Sequence, residues 1–185
     1  MAPPFASLCV YCGSSPGTHH AYVRLAEATG RLLGANGIRL VYGGGNVGLM
    51  GAAARAALDA GGEAVGIIPE FLRAREVALE DLTELHVVDD MHTRKRMMFD
   101  MSDGFVVLPG GIGTLDETVE MLTWRQLGRH EKPVFLVDHE GFWRPLIDLF
   151  CHMTEAGFLK PDVHEFYELL PDLSALSRRL GLSEE

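Results

Sequence analysis

The chain is poor in positive charge and has no long apolar run. It has 16 lysine and arginine residues against 26 aspartate and glutamate residues, and its net charge is −10. Because nucleic acids and anionic membranes bind basic surfaces, this balance argues against both as partners. No apolar run approaches the roughly 20 residues of a membrane-spanning helix. Residues 1–5 also lack the basic and apolar parts of a signal peptide, so we expect a cytoplasmic protein.

Cysteine is scarce as well, and three cysteines cannot all pair with one another. Cys9 and Cys12 match C-x-x-C, a spacing found in redox pairs and in zinc sites. Both lie in an apolar strand pattern rather than at a helix N-terminus, and a second pair of ligands at finger-like spacing is missing. We therefore interpret them as buried or semi-buried thiols.

What the chain does have is a regular alternation of apolar runs and helical patterns. A length of 185 residues suits one domain, with frayed ends at 1–6 and 182–185. Unbroken apolar runs favour strands that are buried on both faces of a parallel sheet. The runs are 8–11, 38–42, 64–68, 85–88, 105–108 and 134–137, and the helical patterns are 18–35, 47–60, 91–102, 114–127 and 143–156.

This alternation predicts an α/β fold: a single-domain, doubly wound, Rossmann-like parallel sheet with helices on both faces. One more helix is expected after Pro171. The charged segment 70–82 is less regular and is interpreted as a short helix or a lid-like loop.

Glycine-containing turns follow three of the predicted strands, at 12–17, 43–48 and 109–113. In a doubly wound sheet, ligands bind beyond the carboxyl ends of the strands, so three such turns predict a nucleotide-sized pocket. The turn at 109–113 also opens a helix. Its free N–H groups attract anions, and glycine lets a phosphate approach the backbone closely.

The turn at 43–48 matches G-x-G-x-x-G, a pattern of dinucleotide-binding proteins. Glu63 has about the spacing of the ribose-binding acid, but it lies at the start of the next apolar run rather than at its end. The motif also follows the second strand instead of the first. We interpret this turn as a backbone wall for a mononucleotide, while a tight turn explains any single glycine about as well.

Thr114 and Glu117 allow two interpretations. Their spacing is that of a capping box, in which Glu117 bonds the backbone N–H of Thr114. The glycines at 110, 111 and 113 favour the second interpretation, a carboxylate beside a bound phosphate, because a cap alone does not need them. Asp116 and Glu120 could each be solvated carboxylates of a helix face.

The densest basic run, Met91 to Arg96, follows Asp90, a suitable N-cap. On a helix, Met91, Arg94 and Met98 share one face, which predicts a partly buried Arg94. A buried guanidinium needs a carboxylate or a phosphate. Arg96 fits a solvated face, and Lys95 is compatible with either.

These residues together resemble the LONELY GUY family of cytokinin riboside 5′-monophosphate phosphoribohydrolases, often mislabelled lysine decarboxylases. The resemblance runs from about residue 8 to 145. Its signature, P-G-G-x-G-T-x-x-E, matches at every fixed position. The matching blocks are Pro109–Glu117, Met91–Lys95, Thr123–Gly128, Cys12–Ser15 and Tyr42–Gly51.

The resemblance implies hydrolysis of the N-glycosidic bond of N6-modified adenosine 5′-monophosphates, or of AMP itself, by a homodimer without metal or cofactor. It makes Arg94 and Glu117 the catalytic pair. The substrate- and phosphate-binding residues expected from its motifs and from the glycine turns are Gly110, Gly111, Gly113, Thr114, Lys95, Thr123, Met91, Gly13, Ser14, Gly44, Gly45 and, with less support, Glu76.

The chemistry agrees with this assignment. Glycosidic cleavage develops positive charge on the sugar, which a carboxylate at Glu117 would stabilise, while Arg94 would orient that carboxylate and keep it ionised. Two other functions remain open. A nucleotide carrier resembling molybdenum-cofactor carrier proteins would not need the Arg94–Glu117 pair. A decarboxylase would need a lysine for pyridoxal phosphate, and the chain has only Lys95, Lys132 and Lys160.

Overall fold

A computed structural model describes residues 5–73, 79 and 81–182. The predicted contact residue Glu76 and most of the segment 74–80 lie outside the described residues, as do 1–4 and 183–185. Residues close to both ends are anchored. The backbone N–H of Ala6 donates to the Asp103 carboxylate at 2.9 Å, and the N–H of Leu182 donates to the Ser177 carbonyl at 3.0 Å.

The described part of the chain forms one parallel sheet of seven strands in the order β4-β3-β2-β1-β5-β6-β7. The first six strands match the predicted runs to within one residue at each end. Five of them are mostly buried on both faces, whereas the edge strand β4 is only partly buried. The strands are β1 Ser7–Tyr11, β2 Arg39–Tyr42, β3 Ala64–Pro69, β4 Glu84–Val88, β5 Gly104–Val107, β6 Val134–Val137 and β7 Glu168–Leu170.

The helices cover both faces of the sheet, which confirms the doubly wound fold. Buried residues of α1, α2 and α7 pack on one face, and those of α4, α5 and α6 pack on the other. The helices are α1 His20–Ala35, α2 Gly48–Asp59, α3 Glu70–Arg73, α4 Met91–Asp100, α5 Ile112–Gln126, α6 Arg144–Glu155 and α7 Leu173–Arg179. Within the described ranges, no helix is both long and apolar enough to span a bilayer.

β7 was not predicted. It is a three-residue edge strand with only partly buried side chains, and it pairs with β6 in the register Phe135↔Glu168. A run of Glu-Leu-Leu is too short and too mixed to stand out as a strand. Its place at the edge depends on the neighbouring strand rather than on its own composition.

The strand order reverses between β1 and β5, so the connections that leave these two strands diverge to opposite sides. Such a switch point opens a crevice at the carboxyl ends of the strands. The two loops are tied there, because the N–H of Gly13 donates to the Pro109 carbonyl at 3.1 Å. The turn at 12–17 and the turn at 109–113 therefore meet over the centre of the sheet.

Candidate active site

A pocket of about 160 Å³ lies at this switch point. It brings together both predicted catalytic residues and four of the predicted phosphate- or substrate-binding residues. Its lining consists of Cys12, Ser14, Met50, Arg94, Gly111, Ile112, Gly113, Thr114 and Glu117. Four segments that follow four different strands, β1, β2, β4 and β5, thus supply one concave site.

The floor of the pocket is the start of α5. The helix begins at Ile112, and its N-cap is Gly111, which has no side chain to offer the first backbone N–H groups. Ile112, Gly113 and Thr114, which carry those first-turn amides, all line the pocket. An uncapped helix start of this kind suits an anion, because the N–H groups and the helix dipole both favour negative charge.

The same helix start excludes the capping-box interpretation of Thr114 and Glu117. Since the N-cap is Gly111, Thr114 is already the third helical residue and Glu117 lies in the second turn. A capping glutamate would have to stand three residues after the N-cap. Glu117 is instead a buried pocket residue with only 9% of its surface exposed.

The glycines of this turn divide into two kinds. At Gly110 a Cβ would collide with the Thr114 side chain, so packing requires glycine there. Around Gly111 and Gly113, in contrast, no heavy atom of the described residues lies within 4 Å of an added Cβ, and neither has a positive φ. Glycine is unfavourable within a helix, so its use at 113 has no explanation in folding. Open space at both positions suits the close approach of a ligand.

Arg94 forms the opposite wall and is 95% buried, at 5% exposure. Its helix, α4, begins where the Asp90 carboxylate accepts from the Thr93 N–H at 2.8 Å, a bond that lowers the pKa of Asp90. The guanidinium donates to the carbonyls of Ile67 at 3.1 Å and Gly43 at 3.0 Å. The predicted burial of Arg94 is therefore confirmed, and backbone carbonyls hold its orientation.

The negative charge of Glu117 acts on the wall behind the pocket. Burial raises the pKa of the Cys12 thiol far above its usual value, and the nearby Glu117 carboxylate raises it further. The same two causes contribute to the raised pKa values of Cys9 and Tyr11. These raised pKa values keep Cys9, Tyr11 and Cys12 protonated at neutral pH.

Cys9 and Cys12 are both free and buried, as predicted. Cys151 is free and exposed on α6. Among the described residues, no three histidine, cysteine or acidic side chains are grouped closely enough to hold a metal ion.

The turn at 43–48 is built differently from a dinucleotide site. The N–H groups of Leu49 and Met50, at the start of α2, donate to the Gly13 carbonyl at 3.0 and 3.4 Å, so they are engaged by protein. Glu63 pairs with Arg39 at 2.7 Å on the N-terminal side of the sheet. Neither the helix start nor the acid is placed to hold a dinucleotide.

The remaining predicted residues lie outside this pocket. Gly13 and Gly110 line a neighbouring cavity of about 190 Å³, which Tyr22 and Phe142 enclose and which shares Ser14 and Gly111 with the pocket. Gly44 and Gly45 are buried within the turn at 43–48.

The sulfur of Met91 lies 3.7 Å from Nη1 of the Arg94 guanidinium. Thr123 is exposed on α5, where its hydroxyl donates to the Val119 carbonyl at 2.8 Å. Lys95 lies between two carboxylates of α5.

Sequence reasoning did not single out Cys12, Met50 and Ile112 as lining residues. Cys12 and Met50 belong to the motif blocks at 12–15 and 42–51, which could have indicated them. Ile112 occupies the variable position of the signature, and its side chain is 81% exposed.

The fold and the pocket define a class: doubly wound α/β proteins that hold a ligand at the switch point of a parallel sheet. The molybdenum cofactor carrier protein from Chlamydomonas reinhardtii has this fold, with a TM-score of 0.69, 21% identity and 95% of each chain covered. Identity at that level shows a shared fold and nothing more.

Sequence relatives are more specific. The chain is 49% identical over 160 residues to a cytokinin riboside 5′-monophosphate phosphoribohydrolase from Rhodococcoides fascians, covering 86% of this chain and 81% of that protein. It is 42% identical over 176 residues to the phosphoribohydrolase LOG3 from Arabidopsis thaliana, covering 95% of this chain and 82% of that protein. A family model described as "Possible lysine decarboxylase" matches residues 50–180. The chain belongs to this family, the LONELY GUY family that its motifs indicated.

Proposed function

We propose that this protein hydrolyses the N-glycosidic bond of N6-modified adenosine 5′-monophosphates, releasing the free base and ribose 5-phosphate. The observation that carries the proposal is a buried carboxylate, Glu117, in the second turn of a helix whose uncapped first turn lines the same pocket. The relatives named above are phosphoribohydrolases for cytokinin riboside monophosphates, which supports the same substrate class.

In the proposed reaction, the amides of Ile112, Gly113 and Thr114 bind the 5′-phosphate and anchor the ribose beside Glu117. The bond between C1′ and the base nitrogen breaks while water adds to C1′, and the base leaves with a proton. Positive charge develops on the sugar, and the Glu117 carboxylate stabilises it or accepts a proton from the water. Arg94 places its guanidinium on the opposite wall, where the carbonyls of Ile67 and Gly43 hold it in position.

A decarboxylase is a poorer fit to the pocket. Its pyridoxal phosphate would need a lysine, and none of the three lysines lines the pocket. Lys132 donates to the Phe99 carbonyl at 2.7 Å and precedes β6, at the opposite end of the sheet, and Lys160 is exposed after α6. A nucleotide carrier would fit the glycines but gives no reason for a buried acid at 117.

Two further parts of the proposal concern the state of the protein. A homodimer is supported by apolar side chains exposed along α5, where Ile112 is 81% and Leu127 is 68% exposed. Light scattering at micromolar concentration should give twice the chain mass, and Leu127→Asp should lower it. A monomeric wild type would contradict the dimer.

A cytoplasmic location fits a phosphorylated substrate, and fractionation of the source cells would test it.

The direct test of the reaction is release of base from purified protein. Isopentenyladenosine 5′-monophosphate and AMP are each incubated with the enzyme, and free base and ribose 5-phosphate are quantified by chromatography. Equal amounts of the two products are expected. Lysine is incubated in parallel with added pyridoxal phosphate, and carbon dioxide from lysine without base release from either nucleotide would overturn the proposal.

A further inference from the structure

Lys95 lies in a tight contact between α4 and α5, outside the pocket. Its ammonium nitrogen is 3.1 Å from Oδ2 of Asp116 and 3.2 Å from Oε1 of Glu120. Only 12% of its side chain is exposed. Asp116 and Glu120 are four residues apart on α5, so they lie on one face of the helix and together hold a single ammonium group.

The neighbours of these residues in sequence are the proposed catalytic pair. Lys95 follows Arg94 on α4, and Asp116 precedes Glu117 on α5. Because adjacent residues share a backbone, the contacts of Lys95 join the two helices at the level where Arg94 and Glu117 line the pocket. Lys95 itself is absent from that lining.

The contact sets one ammonium group against two carboxylates. Burial tends to lower the pKa of Lys95, but hydrogen bonds to Asp116 and Glu120 outweigh it, so the pKa is raised and the ammonium stays charged. Without Lys95, Asp116 and Glu120 would be two like charges one turn apart on α5. An ammonium already paired with two carboxylates has little positive potential left for a phosphate.

We propose that Lys95 is a positioning residue, which ties α4 to α5 through Asp116 and Glu120 and so keeps Arg94 and Glu117 in place across the pocket. This role replaces the direct nucleotide contact that the motif suggests for Lys95, and it rests on the proposed hydrolase function. A nucleotide ligand would act mainly on substrate binding. A positioning residue acts on the chemical step, because small displacements of reacting groups slow it strongly.

The test compares Lys95→Met with Lys95→Arg and with Arg96→Met as the matched control. Arg96 pairs with Asp100 on the exposed side of the same helix, at 2.8 Å, away from the pocket. For Lys95→Met we expect kcat to fall about 10- to 100-fold with KM within about twofold. Lys95→Arg should retain most of the turnover, because it can bridge the same carboxylates, and Arg96→Met should behave as wild type.

Two milder variants cover the case in which Lys95→Met is unstable. Asp116→Asn and Glu120→Gln each remove one partner while leaving Lys95 in place, and both should lower kcat more than they raise KM. Combined with Lys95→Met, they should add little further loss, since all three substitutions break one contact. A KM that rises about tenfold with kcat unchanged in Lys95→Met would show a binding role and overturn the proposal.

A second readout keeps this inference separate from the proposed reaction. Hydrogen exchange of the amides around Arg94 and Glu117 should accelerate in Lys95→Met and not in Arg96→Met, whatever the substrate. Unchanged exchange in Lys95→Met would overturn the positioning role. A wild type that releases no base from any nucleoside monophosphate would overturn the hydrolase function instead.

Discussion

Two glycine turns that look alike in sequence, at 43–48 and at 109–113, differ in what surrounds their glycines. Both follow a buried strand and lead into a helix. At the first turn, a Cβ on Gly43 would collide with the Arg94 guanidinium, and one on Gly48 with the Ser14 backbone. Gly48 also has a φ of +59°, in the left-handed region that favours glycine. At the second turn, the space beside Gly111 and Gly113 is open.

The first turn therefore needs glycine to fold, and the second has room for something that is not protein. The difference matters because the first turn carries the better-known motif, G-x-G-x-x-G, while its helix start is engaged by Gly13. A glycine pattern indicates close approach of some atom, and only the neighbours of each glycine reveal whether that atom belongs to the chain itself.

If the helix that follows the second turn is catalytic, Glu117→Gln should have the largest effect on turnover. The amide has the same shape but lacks the charge that faces the developing cation, so turnover should fall by roughly two or more orders of magnitude. Thermal unfolding and binding of ribose 5-phosphate should stay close to wild type, because the helix start is unchanged. Near wild-type turnover of isopentenyladenosine 5′-monophosphate in this variant would remove Glu117 from the mechanism.

The role of the open space is tested next by removing the phosphate from the substrate. Isopentenyladenosine lacks the group that the amides of residues 112–114 would hold, so its kcat/KM should be lower by on the order of a hundredfold. The measurement is base release from nucleoside and nucleotide at matched concentrations. Comparable rates would mean that the uncapped helix start does not anchor the substrate.

Adding a single methyl group to each turn tests the difference between them directly. Gly113→Ala should lower turnover by about tenfold, since the methyl enters the phosphate space, while stability rises by up to about 1 kcal/mol. Gly48→Ala should lower the free energy of unfolding by at least about 2 kcal/mol, through the left-handed backbone and the collision with Ser14. Denaturant unfolding and base release on both variants check this, and the reverse pattern would contradict it.

The smallest effect concerns the thiols. Cys12 lines the pocket, yet burial raises the pKa of both Cys12 and Cys9, so at pH 8 only Cys151 should react with Ellman's reagent. One thiol per chain is expected in the native protein and three after unfolding in guanidinium. Fast reaction of a second thiol in the native state would show that the reagent reaches Cys12 or Cys9 and would contradict this prediction.

Much of the fold could be predicted because its signal is local. Six strands contain a run of apolar residues that is readable in the sequence, and the helix patterns between them indicate the doubly wound arrangement. The start of α5 was placed two residues late, at 114 instead of Ile112, because glycine is a poor helix former by propensity alone. That error made Thr114 and Glu117 look like a capping box.

A feature of the site could be predicted where it depends on one face of a single helix. It could not be predicted where it depends on segments far apart in sequence. Met91 and Met98 indicated the burial of Arg94 from their spacing alone. Its hydrogen-bond partners, the carbonyls of Ile67 and Gly43, lie 27 and 51 residues away and follow only from the tertiary fold. The pairing of Lys95 with Asp116 and Glu120 likewise depends on how α4 packs beside α5.

The amides of residues 112–114 and the Glu117 carboxylate belong to one helix, so α5 fixes the distance between them. Gly113 and Glu117 are four residues apart, and a rise of 1.5 Å per residue separates them by about 6 Å along the axis. No loop movement can change that length. In the proposed reaction, this fixed spacing would select a ligand by the distance from its phosphate to its sugar carbon C1′. A phosphate elsewhere on the ribose would then place the scissile bond away from the Glu117 carboxylate.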